Sequence, residues 1–292
     1  MWLDDYELAD PPRGVSPALQ LQILFRSGNQ AFAWAWVFGW LFVIWLLALL
    51  GGLNFADELR FATSKPEEVS GRIKASAGTS VEVNERPVVA FEFTFTDGSG
   101  VKREATSYSQ QSEMPAGRTV SVEYLASDPD TARIVGMRLA TFPVWIVLLM
   151  GAFPCVGVLL IMRGLRRGLE NRRLLRSGRL ALGKLLSREA TNVSINEQPV
   201  MELTFAFVDH EGRSQRLRHK THLIDALVDD DEERLLYDPQ DPTRAVLLDD
   251  LPGDGSVNPA GEFVCLGGPL VGLKMPILTL VVHGAIFLAL CA

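Results

Sequence analysis

Apolar positions along the chain fall into three long runs, and the segments between the runs alternate between apolar and polar positions. The runs cover residues 31–53, 141–162 and 271–292, and the first two contain no charged residue. Lys274 lies near the start of the third run. Because a bilayer core about 30 Å thick is crossed by about 20 helical residues, the pattern predicts three transmembrane helices.

The segments between the runs show the period-two alternation of β-strands. In residues 88–96, Phe91, Phe93 and Phe95 fall on one face, and an Asp-Gly-Ser-Gly turn follows at 97–100. Alternation that is interrupted by turn residues is typical of antiparallel strands. Each segment is therefore predicted to form a small antiparallel sheet or barrel-like module.

The second alternating segment repeats the first. Between the pair Gly71/Gly183 and the pair Gly100/Gly212, eleven of thirty aligned positions are identical without a gap. Chance would give roughly two identities over such a length, so the pattern predicts an internal repeat. After a shift of one residue, a Tyr-x-x-x-Asp-Pro-x-x-Ala pattern follows in both segments, at 124–132 and 237–245.

These motifs resemble those of a known family. The order is an apolar run, a strand that contains Gly71, a Pro-Val-Val-x-Phe-x-Phe strand at 87–93, an Asp-Gly turn and the Tyr-x-x-x-Asp-Pro-x-x-Ala ending. This order is similar to that of the bacterial membrane family catalogued as DUF3592, a domain of unknown function. The resemblance covers both modules and their flanking runs. It implies a small β-domain held between membrane helices in the bacterial envelope, and it implies no activity.

The patterns together predict an α+β membrane protein with three transmembrane helices and two β-modules related by an internal repeat. The predicted order is an N-terminal polar or interfacial segment (1–30), a first transmembrane helix (31–53), a first β-module (54–140), a second transmembrane helix (141–162), an Arg-rich amphipathic helix (163–180), a second β-module (181–252), a linker (253–270) and a third transmembrane helix (271–292).

The arginine content changes abruptly after the second apolar run. Seven arginines follow it: Arg163, Arg166, Arg167, Arg172, Arg173, Arg176 and Arg179. Positively charged flanks of transmembrane helices stay in the cytoplasm. This predicts a multi-pass protein of the bacterial inner membrane with a cytoplasmic N-terminus, a periplasmic first module and a cytoplasmic second module. Related modules would then lie in different compartments, so it stays open whether 141–162 or 271–292 crosses the membrane simply.

The same arginines are candidate ligands for anionic lipid head groups. Clusters of four to eight basic residues on the cytoplasmic side of a transmembrane helix are typical of such contacts. Leucines interspersed among the arginines, such as Leu165, Leu169 and Leu174, favour an amphipathic helix lying on the membrane. The alternative is that the arginines only fix the topology, and the two roles are compatible.

Composition and motifs indicate no chemistry beyond this. The net charge of −7 argues against nucleic-acid binding, and the three cysteines indicate no disulfide framework. The sequence lacks phosphate-binding loops and a Gly-x-Ser-x-Gly turn. His219 and His222 form a close pair, with Asp225 and Asp229 after them, for which a metal site is weighed against a solvated turn. No cofactor, metal site or catalytic residue is predicted.

The expected function is non-enzymatic. The bilayer, including anionic lipids, is one expected partner, and a protein segment added to an exposed strand edge of either β-module is another. The chain would then serve as a binding or scaffolding protein of the inner membrane. Two alternatives are a membrane immunity or envelope-stress protein and an accessory subunit of a transport complex.

Overall fold

The computed structural model describes residues 7–49, 54–195, 197–222, 224, 232–268 and 270–291. Within these ranges the chain is an α+β protein. The helices are α1 (Pro17–Phe25), α2 (Gly28–Leu49), α3 (Phe55–Thr63), α4 (Val144–Ser177), a 3-10 turn (Val271–Leu273) and α5 (Lys274–Cys291). The strands are β1 (Glu67–Val83), β2 (Arg86–Thr96), β3 (Lys102–Ser109), β4 (Thr119–Leu125), β5 (Asp128–Ile134), β6 (Arg179–Ile195), β7 (Gln198–Val208), β8 (Ser214–Thr221), β9 (Glu233–Asp238), β10 (Asp241–Leu247), β11 (Gly255–Val257) and β12 (Phe263–Cys265).

The chain forms two compact units. One consists of Met1–Trp36 with Gly157–Leu288, and the other consists of Val37–Val156 with Ala289–Ala292. The first alternating segment of the sequence therefore lies in one unit, and the second lies in the other.

The first five-stranded sheet has the order β3-β2-β1-β4-β5 and is antiparallel throughout. Strands β1 to β3 follow one another as hairpins, and β4 returns to pair with the free side of β1, as in a Greek key. The outer strands approach each other, because the Ile134 N–H donates to Ser107 Oγ at 2.9 Å and Arg103 pairs with Asp130 at 2.7 Å. The result is a nearly closed barrel with the connectivity of the five-stranded OB fold.

The alternation of the sequence determines what fills this barrel. Phe91, Phe93 and Phe95 are buried in its core with Tyr124. The long strand β1 needs a residue without a side chain where it passes between β2 and β4. A Cβ atom on Gly71 would lie 2.6 Å from Val122 Cγ2 and 3.0 Å from the Thr94 carbonyl oxygen. Glycine at this position therefore permits the close packing of three strands.

The second sheet has the order β8-β7-β6-β9-β10, which corresponds strand by strand to the first. Ile73 pairs with Phe93 in the first sheet, and Leu185 pairs with Phe205 in the second, at the same offset of 112 residues. Both first strands then carry one extra residue, Lys74 in β1 and Leu186 in β6. The two barrels thus agree in strand order, in register and in the position of this β-bulge.

A further hydrophobic core lies against the second barrel. Leu19 and Ile23 of α1 pack with Leu174 and Leu175 of α4 and with Phe263 of β12. The segment after the barrel forms the β11–β12 hairpin, in which the Asn258 side chain accepts hydrogen bonds from two backbone N–H groups of the turn. Part of the predicted linker, residues 255–265, therefore forms a hairpin, and α1 within the predicted segment 1–30 is held in this core.

The predicted boundary between residues 162 and 163 does not appear in the structure. Helix α4 runs without interruption from Val144 to Ser177 and contains Pro154. The second apolar run and the arginine-rich segment are therefore parts of one helix. Every position in the second half still allows backbone hydrogen bonding, so a change from apolar to basic side chains does not end the helix.

Among the residues that the structure describes, three helices are long and apolar enough to cross a membrane: Gly28–Leu49, Val144–Ser177 and Val271–Ala289. They correspond to the three apolar runs of the sequence. The last residues of the first predicted span, 50–53, lie outside the described residues.

Candidate functional site

The arginine-rich half of α4 presents a row of exposed cations. Six of the seven predicted residues are exposed, and Arg172 is half-buried. Arg167 pairs with Asp250 at 3.2 Å, and Arg173 pairs with Asp238 at 3.3 Å. No ion pair within the described part of the chain engages the other five: Arg163, Arg166, Arg172, Arg176 and Arg179. The structure thus divides the row into two arginines that pair with Asp250 and Asp238 and five that form no ion pair with the described residues.

The N-terminal segment caps the end of α4. The Arg13 backbone N–H donates to the Arg176 carbonyl at 2.8 Å, and the Arg13 guanidinium donates to the Leu175 carbonyl at 3.2 Å. Burial lowers the pKa of Arg13, and Asp10 opposes this shift. A cation at a helix C-terminus satisfies carbonyl groups that the helix leaves unpaired and interacts favourably with its dipole. Arg13 was not a candidate in the sequence, because its contact is 162 residues away.

Two buried glutamines hold α1 and the start of α2 in place. The Gln22 amide donates to the Gly268 carbonyl at 3.0 Å and its oxygen accepts from the Asp254 N–H at 2.9 Å. The Gln30 amide donates to the Ile161 carbonyl at 3.1 Å. Gln30 sits against Gly164, where a Cβ atom would lie 2.6 Å from its Nε2. These contacts are structural, since they join elements of one unit.

A second glycine, Gly168, also lies where another part of the chain packs closely against α4. A Cβ atom on Gly168 would lie 3.1 Å from the Ile23 carbonyl oxygen and the Leu24 Cα atom. The Gly-x-x-x-Gly spacing of Gly164 and Gly168 was a signal available in the sequence, and such spacing lets helix backbones approach closely. The flanking arginines obscure this signal, since they give the segment the pattern of a surface helix.

An aspartate anchors the same turn in both barrels. Asp97 accepts hydrogen bonds from the Ser99 and Val101 N–H groups at 3.0 Å each and from the Arg103 guanidinium at 3.0 Å. Its counterpart Asp209 accepts from the Glu211 and Arg213 N–H groups at 2.9 Å each and from Gln215 at 2.8 Å. Both carboxylates are almost fully buried. These two aspartates therefore have a structural role.

The hydrogen bonds shift the pKa of both carboxyls. The hydrogen bond from the Ser99 hydroxyl is the largest effect and lowers the pKa of Asp97. Burial opposes it, and with the further bonds from Val101, Arg103 and the Ser99 N–H the pKa falls to about 2. For Asp209, burial is the largest single effect and raises the pKa. The bonds from Arg213, Gln215 and Glu211 together exceed it, so the pKa is lowered. Both groups are carboxylates at neutral pH.

Acid should weaken the first barrel through Asp97. The ordinary pKa of 3.8 falls to about 2 on folding, so ionised Asp97 stabilises the barrel above pH 4 and this stabilisation is lost as the pH falls from about 4 to about 2. Asp97→Asn should lower the free energy of unfolding at pH 7 and flatten this part of its pH dependence. Hydrogen exchange of residues 86–109 as a function of pH measures both effects. Glu113→Gln, which changes an exposed carboxylate in the segment before β4, is the control and should retain the acid dependence.

The outer faces of the two barrels differ although their frames agree. In the first barrel, Lys74 at the bulge of β1 reaches across β2 and pairs with Glu104 of β3 at 2.7 Å. The corresponding residues of the second barrel are Leu186 and Arg216, which cannot form an ion pair with each other. Leu186 is 54% exposed. A bridge thus crosses the face of the first barrel, and the same position of the second barrel is open.

The open position forms a groove of about 320 Å³ on the second barrel. Leu186 of β6 lies on one side, and Arg216 and Arg218 of β8 lie on the other. The strand between them presents the small side chains of Thr204 and Ala206, which pair in register with Arg218 and Arg216. The arrangement can receive an extended segment that carries both apolar and negatively charged groups.

The histidine pair does not form a metal site with other described residues. His219 Nε2 lies 3.2 Å from Asp250 Oδ1 without hydrogen-bond geometry, and His222 follows the end of β8. Asp225 and Asp229 lie outside the described residues. Within the described ranges, no group of three or more His, Cys, Asp or Glu side chains is arranged to hold a metal ion.

The strand edges predicted to accept a partner are partly used by the protein itself. In the first barrel, Tyr108 of β3 and Arg138 after β5 exchange two backbone hydrogen bonds of 2.8 and 3.0 Å. Backbone groups that are bonded in this way cannot pair with an added strand. The faces of the barrels therefore remain as candidate binding surfaces.

Comparisons with known proteins give no family. No model of a known protein family matches the chain, and no curated protein matches it. Among solved structures, the chain has a weak similarity to "Structure and Conformational Change of a Replication Protein A Heterotrimer Bound to ssDNA", with 8% sequence identity and a TM-score of 0.16. The match covers 63% of this chain and 49% of that chain. At this TM-score the similarity supports no conclusion about fold or function.

Proposed function

We propose that this chain is a non-enzymatic protein of the bacterial inner membrane whose two barrels, copies of one duplicated module, act as binding or scaffolding surfaces. Its N-terminus and second barrel lie in the cytoplasm, and its first barrel lies in the periplasm. The observation that carries the proposal is helix α4, in which an apolar half continues without a break into a half rich in arginine.

Exposed apolar side chains support membrane insertion. Trp145, Leu148 and Leu159 of α4 are each more than half exposed, as are Phe32 of α2 and Leu280 of α5. In water, large contiguous apolar surfaces are rare on monomeric proteins. A bilayer covers such surfaces, and the backbone hydrogen bonds of a helix are satisfied internally there.

The orientation follows from the position of the arginines. The segment from Arg163 to Arg179 directly follows the apolar half of α4, whereas only Arg133 and Arg138 lie shortly before it. Cytoplasmic flanks carry the excess of Lys and Arg, so the arginine-rich half of α4 and the barrel after it are placed in the cytoplasm.

Only part of the arginine row reaches the lipid head groups in this arrangement. The head-group layer adds roughly 6 Å on each side of the bilayer core, and each helical residue advances by about 1.5 Å along a helix parallel to the bilayer normal. Arg163, Arg166 and Arg167 therefore lie at head-group level. The remaining arginines lie further into the cytoplasm. The proposed contacts with anionic lipids belong to the first group, of which Arg163 and Arg166 form no ion pair within the described part of the chain.

The non-enzymatic part of the proposal is supported by the roles of the most strongly shifted carboxyl groups. Perturbed pKa values cluster at catalytic sites, although structural networks also produce them. Asp97 and Asp209 have strongly lowered pKa values. Both carboxylates accept hydrogen bonds from their own turns, so we assign them a structural role and no role towards a substrate.

Reporter fusions test the proposed topology. Alkaline phosphatase is active only outside the cytoplasm, and a fluorescent protein exported unfolded does not fluoresce there. Phosphatase fused after residue 115 should be active, and phosphatase fused after residue 225 should be inactive, with the opposite result for the fluorescent protein. A fusion after residue 292 should behave like the one after 115. Equal signals after 115 and 225 would contradict the placement of the barrels on different sides.

A further inference from the structure

We propose that the groove on the outer face of the second barrel binds an extended, acidic segment of a partner protein. The groove runs along β7 between Leu186 on one side and Arg216 and Arg218 on the other. This inference rests on the proposed function of the barrels as binding surfaces, and it assigns one face of one barrel and one class of partner.

The comparison of the two barrels shows which residues distinguish the face that carries the groove from the same face of the first barrel. The β-bulge places Lys74 and Leu186 at the same position of the two frames, and Glu104 corresponds to Arg216. In the first barrel, the Lys74–Glu104 pair of 2.7 Å spans the face and satisfies both charges. In the second barrel, a bulge of the same kind turns a leucine outward. Bulges commonly re-aim a side chain next to a functional site.

The arginines of the groove are suited to bind a carboxylate of a partner protein. Within the residues that the structure describes, no carboxylate pairs with Arg216. Glu202 lies closer to Lys220 Nζ, at 3.1 Å, than to the Arg218 guanidinium, at 4.0 Å. Arginine binds carboxylates with two parallel hydrogen bonds, so both guanidiniums are suited to acidic side chains.

The spacing of the groove matches an extended chain. Arg216 and Arg218 are two residues apart on one strand, and their Cα atoms are therefore separated by about 6.8 Å. Acidic side chains at positions i and i+2 of an extended segment have the same separation and face the same side. The small side chains of Thr204 and Ala206 leave room for its backbone, and Leu186 offers an apolar contact on the opposite side.

A protein segment fits these groups better than a nucleic acid does. The residues that line the groove include no aromatic ring on which a base could stack. A phosphate backbone also has no apolar group that could contact Leu186. Binding of a nucleic acid is therefore the competing outcome of the test.

The test uses the full chain in lipid nanodiscs and a fluorescein-labelled peptide of alternating Glu and Leu. The variant L186K/R216E places a Lys–Glu pair on the second barrel at the positions that correspond to Lys74 and Glu104 of the first barrel. It should fold normally and weaken peptide binding by at least about tenfold, because two guanidinium–carboxylate bonds to Arg216 are lost. R216Q is the second variant and should weaken binding several-fold. K74L/E104R makes the reverse exchange on the first barrel, where Thr106 stands in place of Arg218 and Glu92 in place of Thr204, and should leave peptide binding unchanged.

The outcomes separate this inference from the proposed function. Unchanged peptide affinity in both L186K/R216E and R216Q overturns the groove, although peptide binding elsewhere would leave the barrels as binding surfaces. Absence of peptide binding in the wild type counts against both proposals. An oligothymidylate that binds more tightly than the peptide, and loses affinity in R216Q, overturns the choice of a protein partner.

Discussion

Phe93→Ala should unfold the first barrel selectively and leave the second barrel intact. The Phe93 ring is fully buried and packs with Phe95 at a centroid distance of 6.1 Å. Replacing a buried phenylalanine with alanine costs about 3–5 kcal/mol, because apolar contacts are lost and a cavity remains. Small domains have a total stability of about 5–15 kcal/mol, so this loss removes a large share of it.

Hydrogen exchange of the full chain measures this effect barrel by barrel. Protection should fall in residues 67–134 and should persist in residues 179–247. Phe205→Ala, at the corresponding buried position of the second barrel, should give the reverse pattern. Thr96→Ala changes an exposed strand residue and should alter stability by less than about 0.5 kcal/mol. Equal loss of protection in both barrels after Phe93→Ala would show that the barrels do not fold as separate units.

Gly178→Ala should disturb the junction between α4 and the second barrel. A Cβ atom at this position would lie 2.5 Å from the Leu174 carbonyl oxygen and 3.1 Å from the Tyr237 carbonyl oxygen. Both contacts are with backbone atoms, so no side chain can move aside to relieve them. Overpacking of this kind costs about 1–3 kcal/mol or more. Thermal unfolding in detergent and hydrogen exchange of residues 170–190 should both report the loss.

Gly151→Ala is the matched control in the same helix. No atom lies within 4 Å of the position that its Cβ would occupy, and alanine is favoured over glycine within helices by roughly 0.5–1 kcal/mol. This variant should be as stable as the wild type or more stable. If Gly178→Ala also unfolds like the wild type, the carbonyl groups at the end of α4 can shift freely and the junction is not tightly packed.

Much of the fold can be predicted from the pattern of apolar positions. The runs around residues 31–53, 141–162 and 271–292 correspond to three long apolar helices, since uninterrupted apolar sequence of that length suits a helix. Alternation in residues 88–96 corresponds to β2, with Phe91, Phe93 and Phe95 inside. These predictions succeed because they depend on local periodicity alone.

Other features could not be predicted because they depend on contacts between distant residues. Arg13 caps a helix that ends at Ser177, and Gln22 holds the chain near Gly268. The sequence shows these residues only as isolated polar positions. The change from apolar to basic residues after 162 suggested a separate surface helix, whereas α4 is one helix whose basic half packs through Leu174 and Leu175 against distant parts of the chain.

The proposed groove shows the same division most clearly. The sequence by itself determined that two alternating segments share glycines, phenylalanines and turn aspartates, because these residues serve the frame of each barrel. Only the tertiary structure decided that the Lys74–Glu104 pair bridges one face while Leu186 and Arg216 leave the other open. The two residues of each pair are thirty positions apart, and they meet across an intervening strand only after register and bulge have been set by the folded sheet.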